Sequence, residues 1–503
     1  MIDRRRIVHA IGDMAALFSP TFLVPAVVAF LYEPWDAALG TVRVPGNSIV
    51  FAACGAFALS IGLLLKFSAG RADDELVNRE AYLTVGLGWL VLTVLAALPF
   101  LATGTTLSLV DAWFESMSGL TTTGASALSQ APEDLDASVS FWRALLQWLG
   151  GIGIIVLFVA VISSLTTGGL NLLQAEASAH LQSRLRPKLA ETARLLWRLY
   201  LVVSAGIAAV FFLLMLRLGL PYKEAAYDAV YHTFTTYSTG GFSSHAQSMG
   251  FYGDVWLELA TIVSMFLGAT SFVLLYGLRA GAWRQFVRDP QLRTMLGVYA
   301  GATLAVVAIL LADGHAFWAA LRGSAFATAT TLTGTGLVTS DFSAWPLATS
   351  LILLLLMLMG GNAGSTSGAI KTVRFVVLAK VVRRELRRLL HPRAVVPIRM
   401  GHRTVPEELV SKVVAFFFTY LTLWVMATLA VVAIDPALDI VDGASATAST
   451  LGNVGVGLGA VGPTGSYAQL QPATKLILSG LMWLGRLELF TAMLLFSPSA
   501  WRK

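Results

Sequence analysis

Charge is scarce in this chain. Of 503 residues only 13% are Asp, Glu, Lys or Arg, about half the share of a soluble domain. Cysteine is scarcer still: Cys54 stands alone, so no intrachain disulfide can staple a small secreted fold. The seven histidines are scattered, and none reads as half of an i, i+4 pair with a carboxylate partner, so no metal site is expected. The glycine run at 360–371 lacks the adjoining Gly-Lys-Ser/Thr of a phosphate-binding loop. These absences set aside a water-soluble enzyme, a disordered scaffold and a nucleotide-binding chain, and no bound cofactor is expected. Apolar residues are what the chain has, at 56% with a mean hydropathy of +0.72.

A span of about 30 Å of hydrocarbon needs roughly 20 apolar residues. Such runs fall at 8–32, 47–67, 80–102, 144–165, 194–218, 254–277, 293–312, 347–380, 409–433 and 473–496. Ten crossings put both termini on one side. The net charge of +6 lies between these runs, which points to a lipid bilayer and away from nucleic acid. One set of alternate loops collects Arg4 to Arg6, Lys66, Arg71, Arg79, Arg184, Arg186, Lys188 and Arg279 to Arg293. The same set takes a dense cluster from Arg383 to Arg403 and the tail Arg502 and Lys503. That side is expected to be cytoplasmic, and the 383–403 cluster reads either as an anionic-lipid contact or as a landing surface for a cytosolic partner. The opening "MIDRRR" is followed by an apolar stretch too long for a signal peptide, so it is expected to be a retained first helix.

Four of the opposite connections share one design. Each holds a short apolar stretch that ends in a Thr/Ser/Gly tract: "SGLTTTGAS" (118–126), "TFTTYSTGGFSSH" (233–245), "TLTGTGLVTSDFS" (331–343) and "TLGNVGVGLGAVGP" (450–463). Aligned on Gly124, Gly240, Gly336 and Gly455, they recur at separations of 116, 96 and 119 residues, the signature of a fourfold internal repeat. Any one tract alone could be an extramembrane turn. Four between spanning helices predict non-helical backbone at membrane depth, tolerated only where it is buried in protein or lines a water-filled cavity. Glycine lets neighbouring carbonyls turn toward a common axis, and carbonyl rings replace the hydration of a monovalent cation.

These tracts, with "WLGGIGIIVL" (148–157), "GGNAGSTSGAIKTVR" (360–374) and "GRLELFTAMLLFSPSAWR" (485–502), resemble the TrkH family, the membrane subunits of Trk-type potassium uptake systems within the Trk/Ktr/HKT superfamily. The resemblance runs through nearly the whole chain. It implies an all-α integral membrane protein with two N-terminal helices plus four helix–pore loop–helix repeats around a pseudo-fourfold pore. The expected units are 1–75, 76–190, 191–290, 291–403 and 404–503. It further implies K⁺ as transported ion, a homodimer, a cytosolic nucleotide-binding regulatory subunit like TrkA, and a bacterial inner membrane. By matching positions, the selectivity filter carries over to Thr122, Thr123 and Gly124; Ser238, Thr239 and Gly240; Gly334, Thr335 and Gly336; and Asn453, Val454 and Gly455. In plant relatives a serine in place of the first filter glycine goes with sodium preference, and Gly124 here favours potassium.

The run 347–380 is too long for one crossing and is interrupted by Gly360, Gly361, Gly364, Ser365, Thr366, Ser367 and Gly368. Clustered glycines favour a helix break, which resembles the family's intramembrane gating loop; a glycine-rich helix-packing surface is the other reading. Ala369 replaces a usual glycine of the family. Lys371 and Arg486 lie at depths where charge is expensive. Arg486, placed at the middle of the last helix, is expected to hold the loop closed by donating to its carbonyls, unless it and Glu488 only satisfy each other. Lys371 is expected to face the cytoplasmic cavity and repel cations. His232 and His245 flank the second filter and read as surface histidines. The rival functions are a sodium-permeable or Na⁺-coupled transporter of the same superfamily, an intramembrane enzyme using Asp111, Glu115 or His232, and a non-conducting scaffold.

Overall fold

The computed structural model describes residues 2–35, 37–39, 42–70, 78–164, 189–279, 281–401 and 403–501. Arg71, Arg184, Arg186, Lys188, Arg502 and Lys503 lie outside the described residues. Apart from two short antiparallel hairpins, Ala37–Leu39 with Val42–Val44 and Arg399–Met400 with Arg403–Thr404, the regular structure is helical.

The chain opens with α1 (Arg4–Phe18) and α2 (Leu23–Tyr32), joined by a 3₁₀ turn at Pro20 into one 29-residue span. It continues through α3 (Gly46–Ala69), α4 (Asn78–Ala102), α5 (Leu109–Leu120), α6 (Ala137–Ser164), α7 (Leu189–Arg217) and α8 (Tyr222–Tyr237). Next come α9 (Val255–Ala269), α10 (Phe272–Arg279), α11 (Trp283–Arg288), α12 (Pro290–Ala312) and α13 (Phe317–Thr333). The remainder comprises α14 (Leu347–Met359), α15 (Thr372–Leu390), α16 (Glu407–Ile434), α17 (Ile440–Gly452), α18 (Pro472–Arg486) and α19 (Leu489–Met493).

Among the described residues six helices are long and apolar enough to cross a membrane singly, and two further pairs do so only as bent spans. Both bends correct the straight crossings expected at 254–277 and 473–496: α9 meets α10 at 105°, and α18 meets the 489–496 segment at 117°. Arg486 therefore ends a helix instead of sitting inside one, and Glu488 turns the corner at φ +60°.

Packing of the first two spans rests on small residues. A Cβ on Gly62 would lie 2.6 Å from the Ala16 nitrogen, and one on Gly12 would lie 2.7 Å from the Gly62 oxygen. In lipid, where apolar side chains gain little from meeting each other, such backbone contact drives association. Trp142 on α6 fastens this pair to the first repeat: it is fully buried, 4.6 Å from the Phe22 ring and 5.9 Å from that of Phe18, and donates Nε1–H to Ala96 O at 3.1 Å. Gly62→Val is expected to overpack this seam by about 1–3 kcal/mol. The check is a lower thermal midpoint in detergent, against an unchanged midpoint for Gly206→Ala, whose Cβ meets nothing within 4 Å.

Four helices stop short: α5, α8, α13 and α17, of 12, 16, 17 and 13 residues. Two are capped by their sequence. Ser108 accepts from Asp111 N, and Asp439 forms a reciprocal capping box with Asp442. Their C-terminal turns are buried almost throughout, although rich in Ser and Thr, because each hydroxyl can bond a carbonyl one turn back, as Thr121 does to Met117 O and Thr450 to Ala446 O.

Candidate functional site

Beyond those helices the four tracts adopt one backbone conformation. The N–H groups of Thr123, Gly240, Thr335 and Val454 donate five residues back, to the carbonyls of Ser118, Thr235, Thr330 and Ser449, at 2.7–2.9 Å. The residue before each is left-handed: Thr122 at φ +52°, Thr239 at +54°, Gly334 at +71° and Asn453 at +55°. The residue after is left-handed again: Gly124 at +86°, Gly241 at +84°, Gly336 at +83° and Gly455 at +93°. The second set touches the neighbouring tracts in a closed cycle. A Cβ on Gly124 would collide with Gly240 O, one on Gly241 with Thr335 O, one on Gly336 with Val454 O, and one on Gly455 with Thr123 O. Each of these positions is thus barred to side chains twice, by φ and by the adjacent backbone.

This cycle corrects the sequence alignment of the second tract. Gly241, and not Gly240, is the counterpart of Gly124, Gly336 and Gly455, and Ser238 occupies the helix C-cap at φ −75°. In "STGGF" two glycines stand side by side, and only the backbone shows which one turns left.

Side chains behind the cycle hold it. On α6, Gln147 donates Nε2–H to Gly240 O at 2.7 Å and accepts from Phe242 N at 3.2 Å. One turn earlier the buried Arg143 pairs with Glu115 at 2.7 Å and lies 4.1 Å over the Phe242 ring, while Glu115 also accepts from Ala127 N at 3.0 Å. Asn453 donates to Thr123 Oγ1 at 3.0 Å and to Met482 O at 2.9 Å, and the Tyr467 hydroxyl donates to Gly455 O at 2.9 Å. Sequence reading missed Gln147, Arg143 and Tyr467. A polar pair one helical turn apart within an otherwise apolar span was the available signal.

The 360–371 segment is wholly buried and packs against the cycle. The break between α9 and α10 strips Gly268 O and Ala269 O of helical partners, and this loop supplies new ones. Asn362 N donates to Ala269 O at 2.9 Å, Thr366 Oγ1 to Gly268 O at 2.9 Å, and Gly364 O receives Phe272 N at 3.0 Å. Thr239 Oγ1 meets Thr366 Oγ1 at 3.2 Å, and a Cβ on Gly368 would lie 2.6 Å from Gly452 O. Ala369 adopts φ +58° and Lys371 φ +74°, a region unfavourable for side-chain-bearing residues.

Arg486 is buried, donating Nη1–H to Thr366 O and Nη2–H to Gly150 O at 2.9 Å. Glu488 is not its partner; that carboxylate holds Lys371 at 3.0 Å and Arg374 at 2.8 Å. Lys371 is accordingly an ion-paired residue tied to the α18–α19 corner, a correction to the cavity-facing cation expected from sequence.

Other expectations move as well. His232 is fully buried, its ring nitrogens 2.9 Å from Asp228 O and 3.1 Å from Ser243 Oγ. His245 is partly buried, stacks on Phe251 at 3.7 Å and faces Asp228 Oδ2 at 3.1 Å. His9 and Asp13 do form an i, i+4 pair, at 3.6 Å. Asp111, an enzyme candidate, pairs with Lys475 at 2.6 Å.

The architecture that holds these tracts has a counterpart among solved structures. The family model of TrkH, described as cation transport protein, matches residues 47–503. The chain belongs to the TrkH family. It is 36% identical over 509 residues to the Trk system potassium uptake protein TrkH of Salmonella typhimurium, with 99% of each chain covered. It is 35% identical to the protein of that name from Escherichia coli K12, with the same coverage. The crystal structure of the potassium transporter TrkH from Vibrio parahaemolyticus superposes with a TM-score of 0.87 at 34% identity, over 100% of both chains. As a TrkH-family member the chain is an all-α integral membrane protein with two N-terminal spans and four helix–pore loop–helix repeats around a pseudo-fourfold axis.

Proposed function

We propose that the chain carries K⁺ into the cell through the pore that its four tracts surround. The observation supporting this reading is the closed cycle of left-handed glycines against neighbouring carbonyls. It sets a backbone oxygen of each tract against a glycine of the next with no side chain between them, and backbone oxygens so grouped are the chemistry that replaces water around a monovalent cation. The filter comprises Thr122 to Gly124, Thr239 to Gly241, Gly334 to Gly336 and Asn453 to Gly455. The 360–371 loop is the gate, held by Arg486. The units 1–75, 76–190, 191–290, 291–403 and 404–503 are the N-terminal extension and the four repeats. The protein works as a homodimer in a bacterial inner membrane with both termini cytoplasmic, under a cytosolic nucleotide-binding subunit like TrkA. The relatives' description as Trk system potassium uptake proteins supports the ion and the multi-component system, and the basic loops support the orientation. Inward movement of one charge across 100 mV releases about 2.3 kcal/mol, enough for the membrane potential alone to concentrate K⁺ about fifty-fold.

The test is flux through the purified protein in liposomes under an imposed potential. K⁺ and Rb⁺ are expected to outrun Na⁺. Equal Na⁺ entry would move the protein to the sodium-permeable branch, and absence of all flux with the regulatory subunit added would end the transport reading.

A further inference from the structure

The N-terminal part of α15 is packed into the bundle, where Thr372, Val373, Val376 and Val377 are buried. Beyond Lys380 the helix keeps Val381 and Arg384 against the bundle and presents two adjoining stripes on its outer face. One is apolar: Val382, Leu386, Leu389 and Leu390 are between 58% and 79% exposed, too much for uncovered leucine in water. The other is cationic, with Lys380, Arg383 and Arg387 at successive turns.

The cationic stripe forms one wall of a groove of about 200 Å³ whose other wall is the segment from Val396 to Arg399. The nearby carboxylates are already engaged. Arg384 holds Glu385 at 2.9 Å and Glu407 at 2.7 Å, and Arg388 holds Glu385 at 3.2 Å. Lys380 Nζ is spent on Arg399 O at 2.5 Å. The guanidinium groups of Arg383, Arg387 and Arg399 have no carboxylate or carbonyl partner among the described residues, so three unneutralised forks border one groove.

We propose that this groove binds the phosphate of an anionic phospholipid headgroup, whose acyl chains lie along the Val382–Leu390 stripe. Guanidinium forks match phosphate oxygens two at a time. Basic clusters on an amphipathic helix attract anionic headgroups, and a helix with leucine on one side and arginine on the other lies at the interface. The leucine stripe beside the groove selects a lipid over a free phosphate, which has no chains to cover it. A carboxylate-rich protein segment would satisfy the arginines and leave the stripe exposed.

The experiment is lipid retention by native mass spectrometry of the full chain. The protein is exchanged from detergent into an equimolar mixture of phosphatidylglycerol and phosphatidylcholine. The parent is expected to retain phosphatidylglycerol preferentially. Arg387→Glu and the triple variant Arg383→Ala, Arg387→Ala, Arg399→Ala should lose that preference by roughly five-fold per arginine removed, the factor corresponding to ~1 kcal/mol per surface cation. Leu386→Ser with Leu390→Ser should lower retention of both lipids. Equal retention of phosphatidylglycerol by parent and triple variant overturns the site. Displacement of the lipid by 10 mM inorganic phosphate would assign the groove to a free phosphoryl ligand and overturn the lipid assignment, as would a change in oligomeric mass without a change in lipid preference, which would make a second copy the occupant. All positions changed are exposed, so each variant should fold like the parent, and none of these readouts depends on ion transport.

Discussion

Arg486→Ala is expected to raise K⁺ flux measured without the regulatory subunit by ten-fold or more. Arg486 is buried, has no carboxylate partner among the described residues, and spends two donors on the carbonyls of Thr366 and Gly150. Hydrogen bonds from a charged donor contribute about 1.5–3 kcal/mol each. Removing both therefore moves a closed–open equilibrium by about two to four decades if they exist only when the loop is closed. The same substitution withdraws a positive charge beneath the cycle, where its field opposes an entering cation. Arg486→Lys keeps the charge but not the fork, so its flux should fall between parent and alanine. Normal folding with unchanged flux and unchanged response to the regulatory subunit would mean that Arg486 only props the corner between α18 and α19.

The neighbouring corner is expected to behave differently. Glu488 neutralises Lys371 and Arg374, which anchor the start of α15. Losing that carboxylate removes the Glu488 countercharge from the buried Lys371 and the partly buried Arg374, a cost of several kcal/mol. Glu488→Gln should accordingly appear first as a lower thermal midpoint and only second as altered flux, whereas Arg486→Ala should show the reverse order. If the two variants respond alike, the gate and its anchor are not separable.

How much of this was legible in the chain depends on whether the signal was local. Spans of 20 apolar residues and glycine-rich tracts between them declare themselves by composition, so the membrane class, the fourfold order and the break after Met359 were readable. The bend at Thr270 and Ser271 was not, because nothing in "LGATSFVLL" forbids a straight helix. It exists because the 360–371 loop offers Gly268 O and Ala269 O partners nearly 100 residues away in sequence. The same limit applies to charge. Arg486 and Glu488 are two residues apart and suggested a mutual pair, yet Glu488 turns at φ +60° and reaches Lys371 instead. Tyr467 serves the cycle through a contact made only in three dimensions, to Gly455 O, and its residue type carries no such mark.

The register of the second tract gives the most discriminating result. Gly241→Ala is expected to abolish selective flux, because the new methyl would sit at φ +84° and run into Thr335 O, a backbone atom that cannot step aside. Gly124→Ser meets the same obstacle at Gly240 O and should erode the preference of K⁺ over Na⁺ by at least ten-fold, since strain of 1–3 kcal/mol is concentrated in one of four equivalent positions. Gly240→Ala presents a different case: the three atoms nearest its methyl all belong to the Gln147 side chain, Cδ at 2.4 Å, Oε1 at 2.5 Å and Cβ at 2.9 Å. Shortening that side chain removes the two closer contacts, Cδ and Oε1, and leaves only the one to Cβ. The pair Gly240→Ala with Gln147→Ala should therefore recover part of the flux that Gly240→Ala loses, while Gln147→Ala should recover nothing in the Gly241→Ala background. Rescue of Gly241→Ala, or equal failure of both pairs, would return the turning glycine to position 240. The asymmetry follows from what stands behind each glycine: a side chain has rotamers to yield, whereas a carbonyl in a closed cycle moves only if the next tract moves with it.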